Sequence, residues 1–284
     1  MKLTNFYLLL LLSFLTQSCA KKLVDEDSFI LSNGGKSMEI YISKGENLKT
    51  RLESFSTFGI ENMVISGYIG GHTLSFLREL SGGNDSEFLG GRNLGCLDIS
   101  SAHFYSSDEV YYIRSGKELK IETSGIPPYA FENCYVLNTV IFPRTYGGYP
   151  IGQGAFKNCR LLRYVEWGRN IRKIKEEAFM NCNTLSLGES LVLPEGLEEI
   201  GDYAFKETIP SEVDLPSTVT LIGKEAFSPI LGNVVIRSVE PPTITSDSFL
   251  FQKNSDRILF VPQESISKYN VEPYTSIFLE IKGL

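Results

Sequence analysis

The chain is 284 residues long, is 42% hydrophobic and carries a formal net charge of −7. This apolar fraction supplies a large core, and a charged fraction of only 21% excludes a chain that is disordered throughout. The negative charge argues against nucleic acid as a partner, because nucleic acid binds to basic surfaces. It argues equally against a polybasic patch that lies on a membrane surface.

The first segment has the composition of a secretory signal. After a positive start, an apolar run from Phe6 to Leu15 is too short to cross a bilayer of about 30 Å as a helix. Ser18 stands directly before Cys19, which resembles the cleavage and acylation site of a bacterial lipoprotein. We therefore expect residues 1–18 to be a signal peptide, Cys19 to be lipidated and residues 19–35 to form an acidic tether. An ordinary secretory cleavage, with Cys19 incidental, is the alternative.

The stretch from residue 36 to residue 118 has no regular period. Alternating apolar residues predict short strands at Met38–Ile42 and Met63–Gly67. Helical spacing predicts a helix over Thr73–Leu80, which ends at the two glycines that follow. An L-x-x-L-x-L frame is formed by Leu94, Leu97, Ile99 and Ala102. We interpret this region as one or two irregular repeats that cap a regular array.

From residue 119 to the end, one pattern dominates the chain. An Ala-Phe or Ser-Phe pair returns with spacings of 25, 23, 26, 22 and 22 residues, at Phe131, Phe156, Phe179, Phe205, Phe227 and Phe249. In the first three copies, an Asn-Cys pair and then a Leu follow each Phe at fixed distances. A period of about 20–50 residues is typical of a solenoid, whose units bury their apolar faces by stacking. The third copy departs from the frame, because residues 186–190 are inserted before its strand.

This repeat resembles the leucine-rich repeat of the BspA-like surface proteins of Bacteroides-type bacteria, which reads approximately I-G-x-x-A-F-x-x-C-x-x-L-x-x-V-x-[IL]-P. The fourth copy follows it from Ile200 to Pro216. The resemblance implies a β-rich leucine-rich-repeat solenoid with short helical or 3-10 turns on its other side. It also implies an irregular amino-terminal cap and a degenerate carboxyl-terminal cap. The family suggests a place in the cell envelope, lipid-anchored on the outer membrane and exposed at the surface, with a binding or adhesive role.

The carboxyl-terminal end fits such a cap. After Pro241 and Pro242, the sequence predicts a strand over Arg257–Pro262, a helical turn over Ile266–Tyr269 and a final strand over Ile277–Ile281. A cap is physically required, because the last repeat would otherwise expose apolar surface and an open strand edge.

The three Asn-Cys pairs hold one repeat position and should therefore stack in neighbouring rungs about 5 Å apart. We expect Cys134, Cys159 and Cys182 to be buried free thiols, since Cys packs as a small hydrophobic residue. Disulfides are the alternative that this distance permits. We expect the asparagine side chains to bond to backbone groups of neighbouring turns, in a ladder of Asn133, Asn158 and Asn181.

Motifs of catalysis and metal binding are absent from the sequence. It contains neither Gly-x-Ser-x-Gly nor His-Glu-x-x-His, and His72 and His103 lie 31 residues apart. We therefore predict no catalytic, cofactor-binding or metal-binding residues, and no cofactor. A surface-layer enzyme or glycan-processing accessory protein is the alternative, because the two acids of a glycosidase need no fixed spacing in sequence.

The sequence leads us to expect a non-enzymatic, monomeric surface protein that binds a protein or glycan, on the host matrix or on another bacterial surface. Outward-facing strand positions are predicted at Ile141, Glu166, Val192, Asp214 and Val235. The loop between the first two repeats carries Tyr146 and Tyr149, and Tyr164 and Glu166 follow on the next strand. Tyrosine is enriched at binding surfaces, so these four residues form the predicted contact site. The alternative is a plain turn whose tyrosines lie along the side of the array.

Overall fold

The computed structural model describes residues 29–32, 36–55, 57, 59–83, 93–122, 124–144, 147–253 and 256–284. The predicted signal peptide, Cys19 and Tyr146 lie outside these ranges.

Within the described residues, short strands dominate, as the sequence predicted. The strands of the first half are β1 Phe29–Ser32, β2 Ser37–Ile42, β3 Asn62–Ile69, β4 Cys96–Phe104, β5 Ser107–Arg114, β6 Lys117–Ile121, β7 Thr139–Ile141, β8 Tyr149–Ile151, β9 Tyr164–Glu166 and β10 Ile171–Ile174. Those of the second half are β11 Ser190–Val192, β12 Glu199–Ile200, β13 Phe205–Lys206, β14 Glu212–Leu215, β15 Leu221–Ile222, β16 Phe227–Ile230, β17 Val234–Ile236, β18 Phe249–Phe251, β19 Ile258–Val261 and β20 Glu280–Gly283. The helices are α1 Leu48–Arg51, α2 Gly71–Leu80, α3 Ile266–Tyr269 and α4 Tyr274–Ile277, with a 3-10 helix at Gln263–Ser265.

Parallel sheets run along the array. The first front sheet has the order β1-β2-β3-β4-β7-β9, and the second front sheet has the order β11-β14-β17-β19-β20. Their strands pair in parallel, apart from β1, which is antiparallel to β2. A rear sheet, β8-β10-β12-β15, and a side sheet, β13-β16-β18, complete the rungs, while β5 and β6 form a separate hairpin. The irregular region and the repeats therefore share one sheet, because β4 pairs with β7.

The apolar alternation places the core between these sheets. In β2, Met38, Ile40 and Ile42 are buried, and they pair in register with the alternating residues of β3. Helix α2 forms as predicted but begins two residues earlier than expected, at Gly71.

The closing elements differ in one place from the prediction. The predicted final strand is present but begins at Glu280 rather than at Ile277, because Ile277 ends α4. The physical reason is that Tyr274 and Ile277 lie one helical turn apart and both pack into the core. The Tyr274 hydroxyl also donates to the Pro242 carbonyl, which fixes the helix against the preceding repeat.

The repeated phenylalanines form a stacked ladder through the core. All six are at most 2% exposed, and neighbouring ring centroids lie 5.2–5.5 Å apart, with interplanar angles of 13° or less. Phe278 of the carboxyl-terminal cap packs against the last rung of this ladder, 5.6 Å from Phe249.

Each of the first four Phe turns bonds to the next rung through three main-chain hydrogen bonds. In the first turn, the N–H groups of Tyr129, Phe131 and Asn133 donate to the carbonyls of the equivalent turn in the second repeat. Those acceptors are Gln153, Ala155 and Lys157, at 2.7–2.9 Å. The pattern is repeated from the second repeat to the third and from the third to the fourth.

The predicted thiol ladder is present. Cys134, Cys159 and Cys182 are buried and free, and the thiols of the latter two donate to the carbonyls of Phe131 and Phe156. Burial raises the pKa of Cys134 to about 12 and also raises the pKa values of Cys159 and Cys182. These thiols therefore stay protonated at neutral pH and behave as packing groups.

The asparagine ladder is present with a different partner. The side-chain amides bond to each other rather than to backbone groups, from Asn158 to Asn133 at 2.8 Å and from Asn181 to Asn158 at 2.7 Å. All three residues have φ between 61° and 64°, in the left-handed region that Asn tolerates better than most residues. The repeated Asn therefore satisfies two requirements, the turn conformation and the bond between rungs.

No repeat of the same kind precedes the first turn, so no main-chain N–H groups of a Phe turn donate to its carbonyls. Side chains donate to these carbonyls instead. Arg78 of α2 is fully buried, and its guanidinium donates to the carbonyls of Ala130 at 2.9 Å and Glu132 at 3.2 Å. The Tyr111 hydroxyl of β5 donates to the carbonyl of Pro128. Pro128, Ala130 and Glu132 hold the positions that accept the three main-chain bonds in the later repeats.

We call this pair of donors the Arg–Tyr cap. Arg78 also donates to the carbonyls of Tyr129 and Gly83, and its guanidinium lies 3.8 Å from the centroid of the Tyr112 ring. Buried carbonyls without partners are costly, so the Arg–Tyr cap makes the first regular rung stable at its outer side.

Candidate binding surface

The predicted outward positions form a column that is divided between the two front sheets. Register places Ile141 beside Glu166, and Asp214 between Val192 and Val235. The column is only partly accessible, because Ile141 is 4% exposed and Val235 is 6% exposed. The ion pair between Asp214 and Arg237, at 2.7 Å, flanks Val235. The accessible part of the column is therefore centred on Glu166 and Val192.

Tyr164 belongs to this accessible part and Tyr149 does not. Tyr164 is 47% exposed and lies in β9, the same strand as Glu166. Tyr149 is 5% exposed, and its hydroxyl donates to the carbonyl of Pro143 at 2.9 Å. Burial raises the pKa of Tyr149, which is consistent with a packing residue. The prediction that Tyr149 belongs to the contact site therefore needs correction, since Tyr149 anchors the loop to the first repeat.

Glu166 supplies a negative charge to the predicted contact site. Its carboxylate pairs with Arg144 from the preceding rung. Partial burial, and then the negative charge of Glu166, raise the pKa of Tyr164. The phenol therefore stays protonated at neutral pH and can donate a hydrogen bond to a partner.

The described residues include a cavity of about 330 Å³ at the carboxyl-terminal cap, lined by residues that include Asn270, Thr275 and Glu280. A cavity of about 190 Å³ lies at the carboxyl end of β4, where it is lined by residues that include His103, Ser124 and Tyr149 but no carboxylate. Drug-sized ligand pockets measure about 300–1,000 Å³. Across the described ranges, no three or more His, Cys, Asp or Glu residues come together as a metal site.

Sequence reasoning missed the Arg–Tyr cap, although one signal was present. Arg78 lies four residues after Leu74 and therefore falls on the apolar face of α2. A charged residue on such a face indicates a buried polar partner, which only the fold can name.

The in-register rungs, with an apolar frame and a turn between strands, define a leucine-rich-repeat protein. Residues 97–232 match the model of the BspA type leucine rich repeat region in six copies. This stretch of the chain is therefore similar to the BspA-type leucine-rich repeat family, and the predicted β-rich leucine-rich-repeat fold is confirmed. The match begins at β4, inside the region that we interpreted as irregular repeats.

Three solved structures are similar to the chain. A leucine-rich repeat protein of T. pallidum is 15% identical, with 87% of this chain and 88% of that protein covered and a TM-score of 0.34. A leucine-rich repeat protein from Bacteroides ovatus is 16% identical, with 92% of this chain and 61% of that protein covered and a TM-score of 0.34. A leucine rich cell surface protein of Faecalibacterium prausnitzii is 13% identical, with 90% of this chain and 92% of that protein covered and a TM-score of 0.24.

The search of curated proteins gives no significant match. In the part of the chain that the structure describes, the helices are too short or too polar to cross a membrane.

Proposed function

We propose that this chain is a non-enzymatic binding protein of the bacterial cell surface, which uses the front sheets to hold a protein or glycan partner. The accessible part of the column around Tyr164, Glu166 and Val192 carries the proposal, because it combines two exposed apolar side chains with a half-buried carboxylate on a repeated frame. The BspA-type family supports a repeat scaffold suited to protein interaction.

An enzyme of the surface layer has less support. A glycosidase needs two carboxyl groups that face each other across a substrate cleft. The described lining of the cavity at β4 contains no carboxylate, and that of the cavity at the carboxyl-terminal cap contains one, Glu280, so neither supplies such a pair.

The binding proposal can be tested with residues 20–284 used to capture partners from host matrix and from bacterial surface fractions. Changing Tyr164 to Ser together with Glu166 to Gln is expected to weaken binding of a captured partner at least tenfold, with an unchanged melting temperature. The reason is that Tyr164 loses an exposed aromatic contact and Glu166 loses its charge, whereas neither is needed in the core. Ile113→Ser, at a 62% exposed position on β5, is the matched control. Full affinity in the double variant would move the site away from β9.

We also propose that residues 1–18 are a signal peptide and that Cys19 is the acylated first residue of the mature chain, followed by the tether. Changing Cys19 to Ser is expected to move the protein from the membrane fraction to the soluble fraction. The effect should be large, because a bacterial lipoprotein carries several acyl chains and one chain alone anchors only marginally. The Cys96→Ser variant should stay with the membrane, and a Cys19 variant that fractionates like the parent would refute lipidation.

A further inference from the structure

The front of the array is interrupted between the second and third repeats. Strand β9 is the last of the first front sheet, β11 is the first of the second, and no pairing joins them in the described residues. On the rear, β8 of the second repeat pairs with β10 of the third. The interruption is therefore confined to the front, and we call the gap between β9 and β11 the seam.

The seam results from the insertion in the third repeat. Leu162 and Val165 are three residues apart in the second repeat, but Leu185 and Leu191 are six apart in the third. The extra residues form a turn that bonds to the fourth repeat, through Leu187 beside Pro210 and through the N–H of Ser211 to the carbonyl of Glu189. Because the turn is held on that side, it does not bring β11 to β9.

Main-chain groups at strand edges are directed into the seam from both sides. The main-chain groups of Tyr164 and Glu166 bond to the preceding rung, so the alternation of the strand directs those of Val165 into the seam. Across the seam, the N–H of Leu193 donates to the carbonyl of Asp214 on the far side, so Ser190 and Val192 direct theirs into the seam. Open strand edges of this kind pair readily with another extended chain.

Apolar side chains border the seam on both sides. The second repeat contributes Leu161 and Tyr164, and the third contributes Leu187 and Val192. Each of these side chains is between 47% and 54% exposed. Large apolar residues grouped in this way on an otherwise polar surface mark an interaction site.

The second-repeat side of the seam is also positively charged, in a chain whose net charge is −7. Arg160, Arg163 and Arg169 are all exposed there. Arg163 comes only within 3.9 Å of Glu189, and both side chains are about three-quarters exposed, so this pair contributes little. Ion pairs between other rungs are closer, as between Lys206 and Glu225 at 2.6 Å. An acidic group on a partner can therefore replace Glu189 as the ion-pair partner of Arg163 at little cost in free energy.

We propose that the seam binds an extended peptide segment of a partner protein, which adds a strand beside β9 and β11. Its alternate side chains are apolar and contact Leu161, Tyr164, Leu187 and Val192, and an acidic side chain pairs with Arg163. Strand addition gives affinity through main-chain bonds and specificity through alternate side chains. This inference rests on the proposed function and names the class of partner that the front sheets hold.

The test uses a phage-displayed library of random dodecapeptides selected against residues 20–284. Selected peptides are expected to alternate apolar residues and to carry an acidic residue. Binding is expected to slow amide hydrogen exchange at Val165, Ser190 and Val192. Methylation of alternate backbone nitrogens in a selected peptide, which removes donors but keeps side chains, should weaken binding at least tenfold. The inference would be overturned by a library that yields no binder protecting these amides. It would also be overturned by peptides that keep their affinity whichever alternate set of backbone nitrogens is methylated.

Variants of the chain sharpen the same experiment. Leu161→Ser and Arg163→Gln should each weaken the binding of a selected peptide about tenfold or more, Glu189→Gln should strengthen its binding, and Ile113→Ser should leave its binding unchanged.

Deleting residues 186–188 restores the three-residue spacing and is expected to close the seam and abolish peptide binding. The substitutions and the methylated peptides decide the matter if that deletion impairs folding. A captured protein partner that binds equally well to a folded deletion variant overturns the seam inference and leaves the proposed function standing. A chain that captures no partner overturns the proposed function itself.

Discussion

Replacing Arg78 with methionine is expected to lower the free energy of unfolding by at least about 3 kcal/mol. Methionine keeps much of the side-chain volume but leaves the carbonyls of Ala130, Glu132 and Gly83 without their donor, whereas the Tyr129 carbonyl keeps its bond from the Glu132 N–H. Each buried group left unpaired costs roughly 1–3 kcal/mol. The variant also avoids the desolvation cost of burying a guanidinium, which is several kcal/mol and opposes this loss. We expect the loss at these three carbonyls to dominate, because the charge of Arg78 is already stabilised by its hydrogen bonds and by the Tyr112 ring.

Urea unfolding followed by circular dichroism measures this effect. Arg144→Met is the matched control, since Arg144 is 59% exposed and pairs with Glu166 at the surface, where an ion pair contributes about 0–1 kcal/mol. Arg78→Lys should recover only a small part of the loss, because an ammonium group cannot present the planar fork of donors. Equal stabilities of the Arg78 and Arg144 methionine variants would show that the Arg–Tyr cap does not hold the first rung.

Shortening Phe156 or Phe179 to alanine is expected to cost roughly 3–5 kcal/mol, the range for large aromatic truncations in a packed core. Each ring is fully buried and stacks on a Phe ring above and below, at 5.2–5.3 Å. The same change at Phe249 should cost less, because Phe249 stacks on Phe227 alone and meets Phe278 at a tilted angle of 57°.

The three alanine variants are compared in the same urea titration, with the slope of the transition recorded for each. A constant slope shows that the variants differ in stability rather than in the surface exposed on unfolding. Equal losses at Phe156, Phe179 and Phe249 would contradict a ladder in which interior rungs have two neighbours and the last has one.

The sequence predicts best those features that depend on spacing. The Phe ladder follows from the period, because equivalent positions of stacked units must meet. The Asn ladder was predicted, but with the wrong hydrogen-bond partner. The positive φ at Asn133 and its equivalents was not inferred, and in this turn conformation the Asn side chains bond to one another rather than to the backbone. Tyr149 was assigned to a partner because its loop has the composition of a turn, whereas the ring packs against the fold.

Features that depend on contacts between distant segments could not be predicted. The insertion after Leu185 was visible in the sequence, but its effect depends on which neighbouring rung the inserted turn bonds to. Arg78 and the carbonyls of Ala130 and Glu132 are more than fifty residues apart, so their pairing needs the fold. Local patterns carry no information about either choice.

The Arg–Tyr cap has a consequence for how an array of this kind changes in length. Every regular turn donates the same type of main-chain bonds to its successor and accepts them from its predecessor, so a duplicated or deleted unit leaves matching partners on both sides. The first turn is different, because its acceptors are taken by Arg78 and Tyr111. Whole units can therefore be gained or lost only on the carboxyl-terminal side of the cap, in steps of about 5 Å. Tandem duplication in the gene can change the length of the front sheets while their starting point stays fixed.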